Sequence, residues 1–248
     1  MIRFDHVSKI YPGGTRAVDD FSLTIEQGST TVFLGTSGCG KTTLMRMVNA
    51  MVTPTSGTVF VRGADVTGAD PVRLRRSIGY VLQEGGLFPH RSIADNIATV
   101  PRLEGVNKAE SRERALELLT LVGLEREMAD RYPSQLSGGQ RQRVGVARAL
   151  ANRADILLMD EPFGALDPIV RADLQRELKE IRRALGTTIL FVTHDVDEAF
   201  TLGDQVAVLS TGGSIEQVGT PAELLSSPAS PFVAEFVGAS RAARPVRV

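Results

Sequence analysis

The chain has 248 residues, of which 42% are apolar and 23% charged, so it can form one large domain with a subdomain. Lys and Arg together number 28 and Asp and Glu 29, and the net charge of −1 argues against a protein that coats nucleic acid. A single cysteine excludes an intrachain disulfide and fits a reducing compartment.

The first eighty residues predict short strands around one helix. The first ten lack the apolar core of a signal peptide, and no window of the sequence approaches the roughly 20 apolar residues needed to span a bilayer. If the protein works at a membrane, we expect other chains to supply the spans. Alternating or continuous apolar residues predict strands around residues 2–4, 21–25, 32–34, 58–61 and 78–82. Residues 42–51 follow a glycine-rich turn and have helix-forming composition.

The middle of the sequence, from about residue 87 to residue 152, predicts helices. Apolar residues recur there at helical spacing, at Ala115, Leu118, Leu119 and Val122. Residues 144–151 continue the trend. We therefore predict a helical subdomain over 87–152, inserted between core segments 1–86 and 153–238.

Buried strands return after this region. Residues 156–159 form a continuous apolar run, which is typical of a parallel strand covered on both faces. One apolar face from Val170 to Leu185 predicts an amphipathic helix that ends at Gly186, and residues 189–192 and 206–209 predict two more strands. This alternation indicates an α/β fold with a mainly parallel sheet. The polar tail, residues 239–248, is expected to be loosely ordered.

The glycine-rich turn matches a phosphate-binding loop, because it reads Gly35-Thr36-Ser37-Gly38-Cys39-Gly40-Lys41-Thr42 between a strand and a helix. The glycines let successive backbone N–H groups point at phosphate oxygens, and the helix adds its positive N-terminal end. Lys41 supplies a charge for the β- and γ-phosphates, and the Thr42 hydroxyl can bind Mg²⁺. Cys39 is interpreted as a small filler whose backbone matters more than its sulfur.

A second acidic element follows the apolar run at residues 156–159. Asp160 is expected at the C-terminal end of that strand, where ligands of parallel sheets bind. It is predicted to hold Mg²⁺, through water. Glu161 is predicted to polarise the attacking water as a general base.

One further motif indicates the family. Leu136-Ser137-Gly138-Gly139-Gln140 lies after the phosphate loop and before the Asp-Glu pair, and this arrangement resembles the ABC ATPases over residues 1–238. The resemblance implies a P-loop NTPase (RecA-like) core with an N-terminal antiparallel β subdomain and an inserted α-helical subdomain.

The resemblance also implies roles for isolated residues. Tyr11 stands where the family stacks an aromatic ring on adenine, and Val18 where it packs the sugar and base. Gln83 matches the glutamine that contacts Mg²⁺ and the attacking water. Asp167, in Ala165-Leu166-Asp167, matches the loop that crosses the dimer, and His194 matches the histidine that senses the γ-phosphate.

The resemblance also implies a dimer, through the motif at residues 136–140, which is the family's signature. In the family, each ATP lies between the phosphate loop of one subunit and the signature of the other. Thr43, which follows the loop, is also expected to contact the nucleotide. A helix start with a hydroxyl is a site for anions, and Ser137 and Gly138 start the helix that carries Gln140. Ser137, Gly138, Gly139 and Gln140 are therefore expected to contact the nucleotide of a second copy, or of a similar ATPase subunit.

The sequences of four segments resemble those of the ATPase subunits of glycine betaine, carnitine and choline importers. The segments are IGYVLQEGGLFPH, NIATVP, RQRVGVARAL and FGALDPIVRADLQ. The resemblance implies ATP hydrolysis at the cytoplasmic face of the membrane, with separate permease subunits and, indirectly, an extracytoplasmic solute-binding protein. Phe88, Pro89 and His90 are candidates for contact with the permease. For Phe88, a place in the subdomain core is an open alternative.

Three alternative functions are left open by the sequence. They are an importer of another solute such as amino acids, a soluble ABC ATPase acting on nucleic acid or ribosomes, and a nucleotide-binding regulator without hydrolysis. The soluble ATPases usually have two cassettes or a long coiled-coil insertion, and a regulator would not need Glu161, Gln83 and His194. Many relatives carry a C-terminal regulatory module, whereas this sequence stops at Val248, which argues against ionic-strength sensing by this subunit.

Overall fold

The computed structural model describes residues 1–83, 85–164 and 166–242, and residues 239–242 by their backbone alone. The strands are β1 (Ile2–Ile10), β2 (Arg16–Ile25), β3 (Thr30–Gly35), β4 (Ser56–Val61), β5 (Ala64–Asp65), β6 (Gly79–Val81), β7 (Ile156–Asp160), β8 (Thr188–Thr193), β9 (Gln205–Leu209) and β10 (Ile215–Gly219). The helices are α1 (Lys41–Val48), α2 (Pro71–Ser77), α3 (Ile93–Ile97), α4 (Thr99–Leu103), α5 (Lys108–Leu121), α6 (Gly138–Leu150), α7 (Pro168–Leu185), α8 (Val196–Leu202), α9 (Pro221–Ser226) and α10 (Pro231–Ala242). Three short 3₁₀ helices are η1 (Arg126–Asp130), η2 (Pro133–Gln135) and η3 (Thr211–Gly213).

The chain divides into two compact units, and the division falls within β8. The first unit contains Met1–Pro71 and Leu190–Val248, and the second contains Val72–Ile189.

The first unit begins with an antiparallel sheet of order β2-β1-β4-β5. Its inner face is aromatic: Phe4 and Phe21 meet edge to face with ring centroids 5.2 Å apart, and Phe33 of β3 lies 5.5 Å from Phe21. All three rings are buried. Since aromatic contacts of this kind stabilise a core beyond simple burial, the cluster fixes β3 against the sheet.

The same unit contains the order β10-β9-β3-β8. Strands β3 and β9 are parallel, with Val32 opposite Val206, and β10 pairs antiparallel with β9. Every residue of β3 and β8 is buried. The predicted α/β class with a mainly parallel sheet and an N-terminal antiparallel sheet is therefore confirmed, and β3 delivers Gly35 to the start of the phosphate loop.

The second unit contains the parallel pair β6 and β7. Residues 87–152, all of them described, contain helices and no strand, as the sequence predicted. Helix α5 buries Ala115, Leu118 and Leu119, and α6 packs on it. The boundaries of a separate subdomain at 87 and 152 stay a prediction.

Three details differ from the sequence expectations. Helix α1 ends at Val48 rather than at residue 51, because Ala50 adopts a left-handed φ of 53°. Leu185, placed on the apolar face of α7, is 47% exposed in the last turn before Gly186. Helix α10 continues to Ala242, into the segment predicted as a polar tail, and residues 243–248 lie outside the described part of the chain.

Candidate active site

The phosphate loop requires glycine at two positions. A Cβ on Gly35 would lie 2.4 Å from the carbonyl oxygen of Leu209 and 2.9 Å from the Cys39 sulfur. Gly40 has a φ of +108°, and a Cβ there would lie 2.4 Å from the carbonyl oxygen of Ala17. Any side chain at either position would displace neighbouring backbone, so the tight path of the loop depends on both glycines.

Lys41 holds the loop together from inside. Its ammonium donates hydrogen bonds of 2.7 Å to the carbonyl oxygens of Gly35 and Thr36, and the sulfur of Cys39 lies 3.8 Å away. The Lys41 residue is only 4% exposed. Because a charged phosphate oxygen is a stronger acceptor than a backbone carbonyl or a thiol sulfur, these are the contacts that phosphate oxygens would replace.

The start of α1 differs from the starts of α6 and α7. Ser137 caps α6 and Asp167 caps α7 with side-chain oxygens, whereas Gly40 precedes α1 and offers no side chain. A helix start without a side-chain cap leaves backbone N–H groups directed at a site for an anion. Thr36, Ser37 and Gly38, which form the outer turn of the loop, are exposed.

Tyr11 lies beside the first turn of α1. Its hydroxyl oxygen is 3.4 Å from Oγ1 of Thr43, and the ring is partly exposed. The Lys9 ammonium lies 5.3 Å from the ring centroid, so one face of the ring is next to a cation. Tyr11 is thus at the edge of the phosphate loop, and its stacking on adenine stays a prediction.

The Val18 side chain packs next to the phosphate loop. It is fully buried, 3.3 Å from the position that a Cβ of Gly213 would take and 3.4 Å from that of Gly40. Direct contact of this side chain with a sugar or base stays a prediction. Gly213 also donates its N–H to the carbonyl oxygen of Cys39 at 2.7 Å, so η3 braces the loop.

His194 lies in the turn between β8 and α8 and is exposed, so it is not a core histidine. Both of its neighbours are fixed. The Thr193 hydroxyl donates to the buried carboxylate of Glu198 at 2.7 Å, and the N–H of Asp195 donates to the Thr193 oxygen at 3.0 Å. This small network sets the backbone on either side of His194.

In the second unit, β7 ends at Asp160 and the chain turns sharply at Glu161. Glu161 has a φ of +45°, a left-handed conformation that costs a non-glycine residue about 1–2 kcal/mol. Pro162 follows, and both acidic residues are half-buried. Backbone strain of this kind is concentrated at functional sites, where the surrounding structure holds it in place.

Gln83 belongs to the same region of the second unit. Its side-chain nitrogen lies 3.4 Å from the position that a Cβ of Gly164 would take. Gly164 in turn donates its N–H to the carbonyl oxygen of Glu161 at 3.3 Å. The structure therefore brings Gln83 to the turn that carries Glu161.

The signature forms a capped and exposed helix start. The Ser137 oxygen accepts from the N–H of Gln140 at 3.2 Å, and the Gln140 side chain accepts from the N–H of Ser137 at 2.9 Å. Ser137 and Gly138 are exposed. Because the Ser137 oxygen is an acceptor in this capping box, its hydroxyl proton can be donated to an anion in front of the helix.

The two central glycines of the signature differ in their surroundings. A Cβ on Gly139 would lie 2.5 Å from Cγ1 of Val170, whereas the nearest atom to a Cβ on Gly138 is Cδ2 of Leu166, at 3.8 Å. Gly139 is therefore needed where α6 packs on α7, and Gly138 is free of that constraint.

We expect Gly139→Ala to destabilise the fold by about 1–3 kcal/mol, the usual cost of overpacking. Gly138→Ala, its matched control, is expected to stay within about 0.5 kcal/mol of the parent. Thermal unfolding of the two variants checks this, since each kcal/mol shifts Tm by about 2–4 °C in a chain of this size. Equal Tm values for the two variants would contradict the packing argument.

Asp167 caps α7. Its Oδ1 accepts from the N–H groups of Ile169 and Val170, both at 3.1 Å. The neighbouring Ile169 is 77% exposed, a large apolar side chain directed at solvent. Ala165, in the same motif, lies outside the described residues.

Comparison with known proteins decides the family. The sequence model of the ABC transporter family matches residues 18–164, from the strand that supports the phosphate loop to the turn after Glu161. The chain belongs to the ABC transporter family.

Three proteins illustrate the likeness. The chain is 52% identical over 241 residues to the carnitine transport ATP-binding protein OpuCA of Listeria monocytogenes, which covers 97% of this chain and 60% of that protein. It is 50% identical over 240 residues to the glycine betaine uptake system ATP-binding protein YehX of Escherichia coli, covering 97% and 77%. The solved dimeric structure of a post-hydrolysis state of the ATP-binding cassette MJ0796, bound to ADP and Pi, is similar with a TM-score of 0.80 and 33% identity over 89% of this chain and 99% of that one.

The chain spans about 60% of the length of the OpuCA relatives. Across residues 1–83, 85–164 and 166–242, no helix combines the length and apolar composition needed to cross a membrane.

Four supporting residues of this ABC chain were not identified from the sequence. Lys9 stands two positions before Tyr11, and the two-residue period of a strand could have placed both on one face. Asp195 and Glu198 have the spacing of a capping box, which could have predicted the start of α8. Gly213 carries no such signal, because its contact with Cys39 joins distant parts of the chain.

Proposed function

We propose that this chain is the ATP-hydrolysing subunit of an importer whose permease subunits are separate chains. The observation that carries the proposal is the loop of residues 35–42, in which the buried Lys41 ammonium and the uncapped start of α1 form an anion site. The relatives named as transport ATP-binding proteins support the same function.

ATP binds at the first unit in this proposal. Tyr11 stacks on the adenine, and residues 35–43 surround the phosphates, with Lys41 between the β- and γ-phosphates. The Thr42 hydroxyl, the Gln83 amide oxygen and the Asp160 carboxylate are all oxygen donors, as the hard cation Mg²⁺ prefers, so the donor set fits this metal. Bound there, Mg²⁺ would neutralise charge on the phosphate oxygens.

Hydrolysis depends on three further side chains. Glu161 accepts the proton of the attacking water, Gln83 orients that water, and His194 contacts the γ-phosphate. The left-handed turn at Glu161 and the position of Gln83 beside it support this assignment. The presence of all three also argues against a regulator that only binds nucleotide.

Two copies of the chain complete the sites. Ser137, Gly138, Gly139 and Gln140 of one copy contact the phosphates held by the other, and Asp167 lies at the dimer interface. The exposed, capped start of α6 supports this proposal, as does the exposed Ile169 next to Asp167. We assign residues 1–238 to the nucleotide-binding domain, with 1–86 and 153–238 as its core and 87–152 as its helical subdomain.

The permease is proposed to contact the exposed residues Phe88, Pro89 and His90 at the cytoplasmic face of the membrane. Phe88 is 40% exposed, and Arg91 lies over its ring at 4.9 Å, so Phe88 is not part of a buried core. An extracytoplasmic binding protein would deliver the solute to the permease. The names of the relatives support a quaternary amine such as carnitine or glycine betaine as that solute.

Affinity purification of the tagged chain from detergent-solubilised membranes tests this function. We expect permease subunits to be recovered with it, and Phe88→Ala to reduce their recovery because it removes an exposed apolar contact. Leu103→Ala, at another exposed apolar residue of the same unit, is the control. Recovery with ribosomes and without permease would refute the importer.

A further inference from the structure

Residues 85–92, which follow Gln83 and include the proposed permease contacts, are attached to α6 by Arg148. One guanidinium nitrogen of Arg148 donates to the carbonyl oxygen of Gly86 and the other to that of Gly85, both at 2.7 Å. Burial lowers the pKa of Arg148 from its usual value, so this cation is partly shielded from water where it bonds the two carbonyls.

The backbone at this attachment leaves no room for side chains. Gly85 and Gly86 have left-handed φ values of 73° and 57°. A Cβ on Gly145 of α6 would lie 3.2 Å from Cα of Gly85, and a Cβ on Gly85 would lie 3.0 Å from the carbonyl oxygen of Arg141. Residues 85 and 86 therefore lie directly against α6, and Arg148 fixes them there.

The other end of residues 85–92 is fixed by Asn96. This fully buried side chain accepts from the N–H of Phe88 at 2.7 Å and donates to the carbonyl oxygens of Phe88, Arg91 and Ser92 at 3.0–3.1 Å. Asn96 belongs to α3, which packs on α6. Both ends of the segment are thus held by α6 or by a helix packed against it.

Helix α6 begins at the signature. Arg148 stands eleven positions after Ser137, and at about 1.5 Å per residue this corresponds to roughly 16 Å along one helix. Arg141 donates to the carbonyl oxygen of Leu136 at 2.7 Å, and Arg143 donates to that of Val122 at 2.8 Å and pairs with Glu177. The helix is therefore a stiff connection between the signature and residues 85–92.

We propose that Arg148 is a positioning residue that couples the signature to residues 85–92. When the start of α6 engages the nucleotide of a second copy, α6 moves with it, and the two hydrogen bonds of Arg148 carry residues 85 and 86 along. Arg148 touches neither nucleotide nor reacting atoms in this account. The inference rests on the proposed function, because it requires that ATP closes a dimer at the signature.

Hydrogen–deuterium exchange in the Glu161→Gln background tests the coupling. We expect ATP to slow exchange of the amides of residues 85–92 by at least about tenfold in the parent, because closure restrains local opening of the segment. Arg148→Met should reduce this ATP effect to less than about twofold, while ATP affinity and ATP-dependent dimer mass stay unchanged. Arg148→Lys, which keeps the charge without the fork, should give an intermediate effect.

Arg112→Met is the matched control, because Arg112 lies on α5 and pairs with Asp130 at 2.8 Å. It should keep the full ATP effect. If ATP slowed amide exchange in Arg148→Met as much as in the parent, the coupling would be overturned. It would also be overturned if the parent dimerised with ATP and amide exchange of residues 85–92 did not change. If the parent neither binds ATP nor dimerises, the proposed function fails first and the coupling fails with it.

Discussion

Lys41→Ala should lower the affinity for ATP by about 10²–10⁴-fold, because two charge-assisted hydrogen bonds to phosphate are worth about 1.5–3 kcal/mol each. In the structure, Lys41 is the group that bonds the carbonyl oxygens of Gly35 and Thr36 from inside the loop. Alanine removes both the charge and this internal support. Equilibrium titration with ATP at fixed Mg²⁺ measures the loss.

The matched control for this experiment is Lys108→Ala. Lys108 is exposed at the start of α5 and has no part in the proposed site. Its replacement changes the net charge by the same amount and should leave the Kd for ATP unchanged. An unaltered Kd in Lys41→Ala, with the fold intact by thermal unfolding, would remove Lys41 from the nucleotide site.

Glu161→Gln should retain ATP binding and slow hydrolysis by about 10²–10⁴-fold, the usual contribution of general-base catalysis. The amide has the shape of the carboxylate but cannot accept the proton of the attacking water. Because both side chains attach to the same left-handed backbone, the turn at residue 161 should be preserved. Single-turnover hydrolysis, measured alongside ATP affinity, separates the chemical step from binding.

Glu180→Gln, on the exposed side of α7, is the control for this change and should hydrolyse ATP at the parent rate. Wild-type turnover in Glu161→Gln would refute the role of Glu161 as the base. A parallel loss of binding and turnover would instead indicate a structural role at the turn.

The sequence predicted the elements that depend on local pattern. The apolar runs at residues 32–34, 156–159, 189–192 and 206–209 became β3, β7, β8 and β9, because buried parallel strands need apolar side chains on both faces. The phosphate loop was equally readable, since its glycines and Lys41 are adjacent in the chain. The capping box at Ser137 and Gln140 also lies within four residues.

Features that depend on contacts between residues far apart in the sequence could not be predicted from it. The burial of Val18 beside Gly213 brings together parts of the chain almost two hundred residues apart. Arg148 gave no signal, because the carbonyls that it bonds are more than sixty residues earlier. The exposure of Phe88, left open by the sequence, follows from Asn96, which fixes the loop with the ring outside.

The left-handed backbone at Glu161 could not be predicted from the sequence either. Nothing in the letters Asp-Glu-Pro requires a positive φ, and the propensity of glutamate opposes it. The conformation depends on the turn that returns the chain from β7 toward α7.

The central claim is that ATP is bound between two copies of this chain, and the molar mass of Glu161→Gln in solution tests it most directly. Light scattering should give the mass of one chain without nucleotide and twice that mass with ATP and Mg²⁺. Adding Ser137→Arg should return the mass to one chain while ATP still binds, whereas Ser134→Arg, three residues earlier and exposed, should leave the dimer intact. A Glu161→Gln chain that binds ATP and stays monomeric, or a dimer that survives Ser137→Arg, would contradict the shared site.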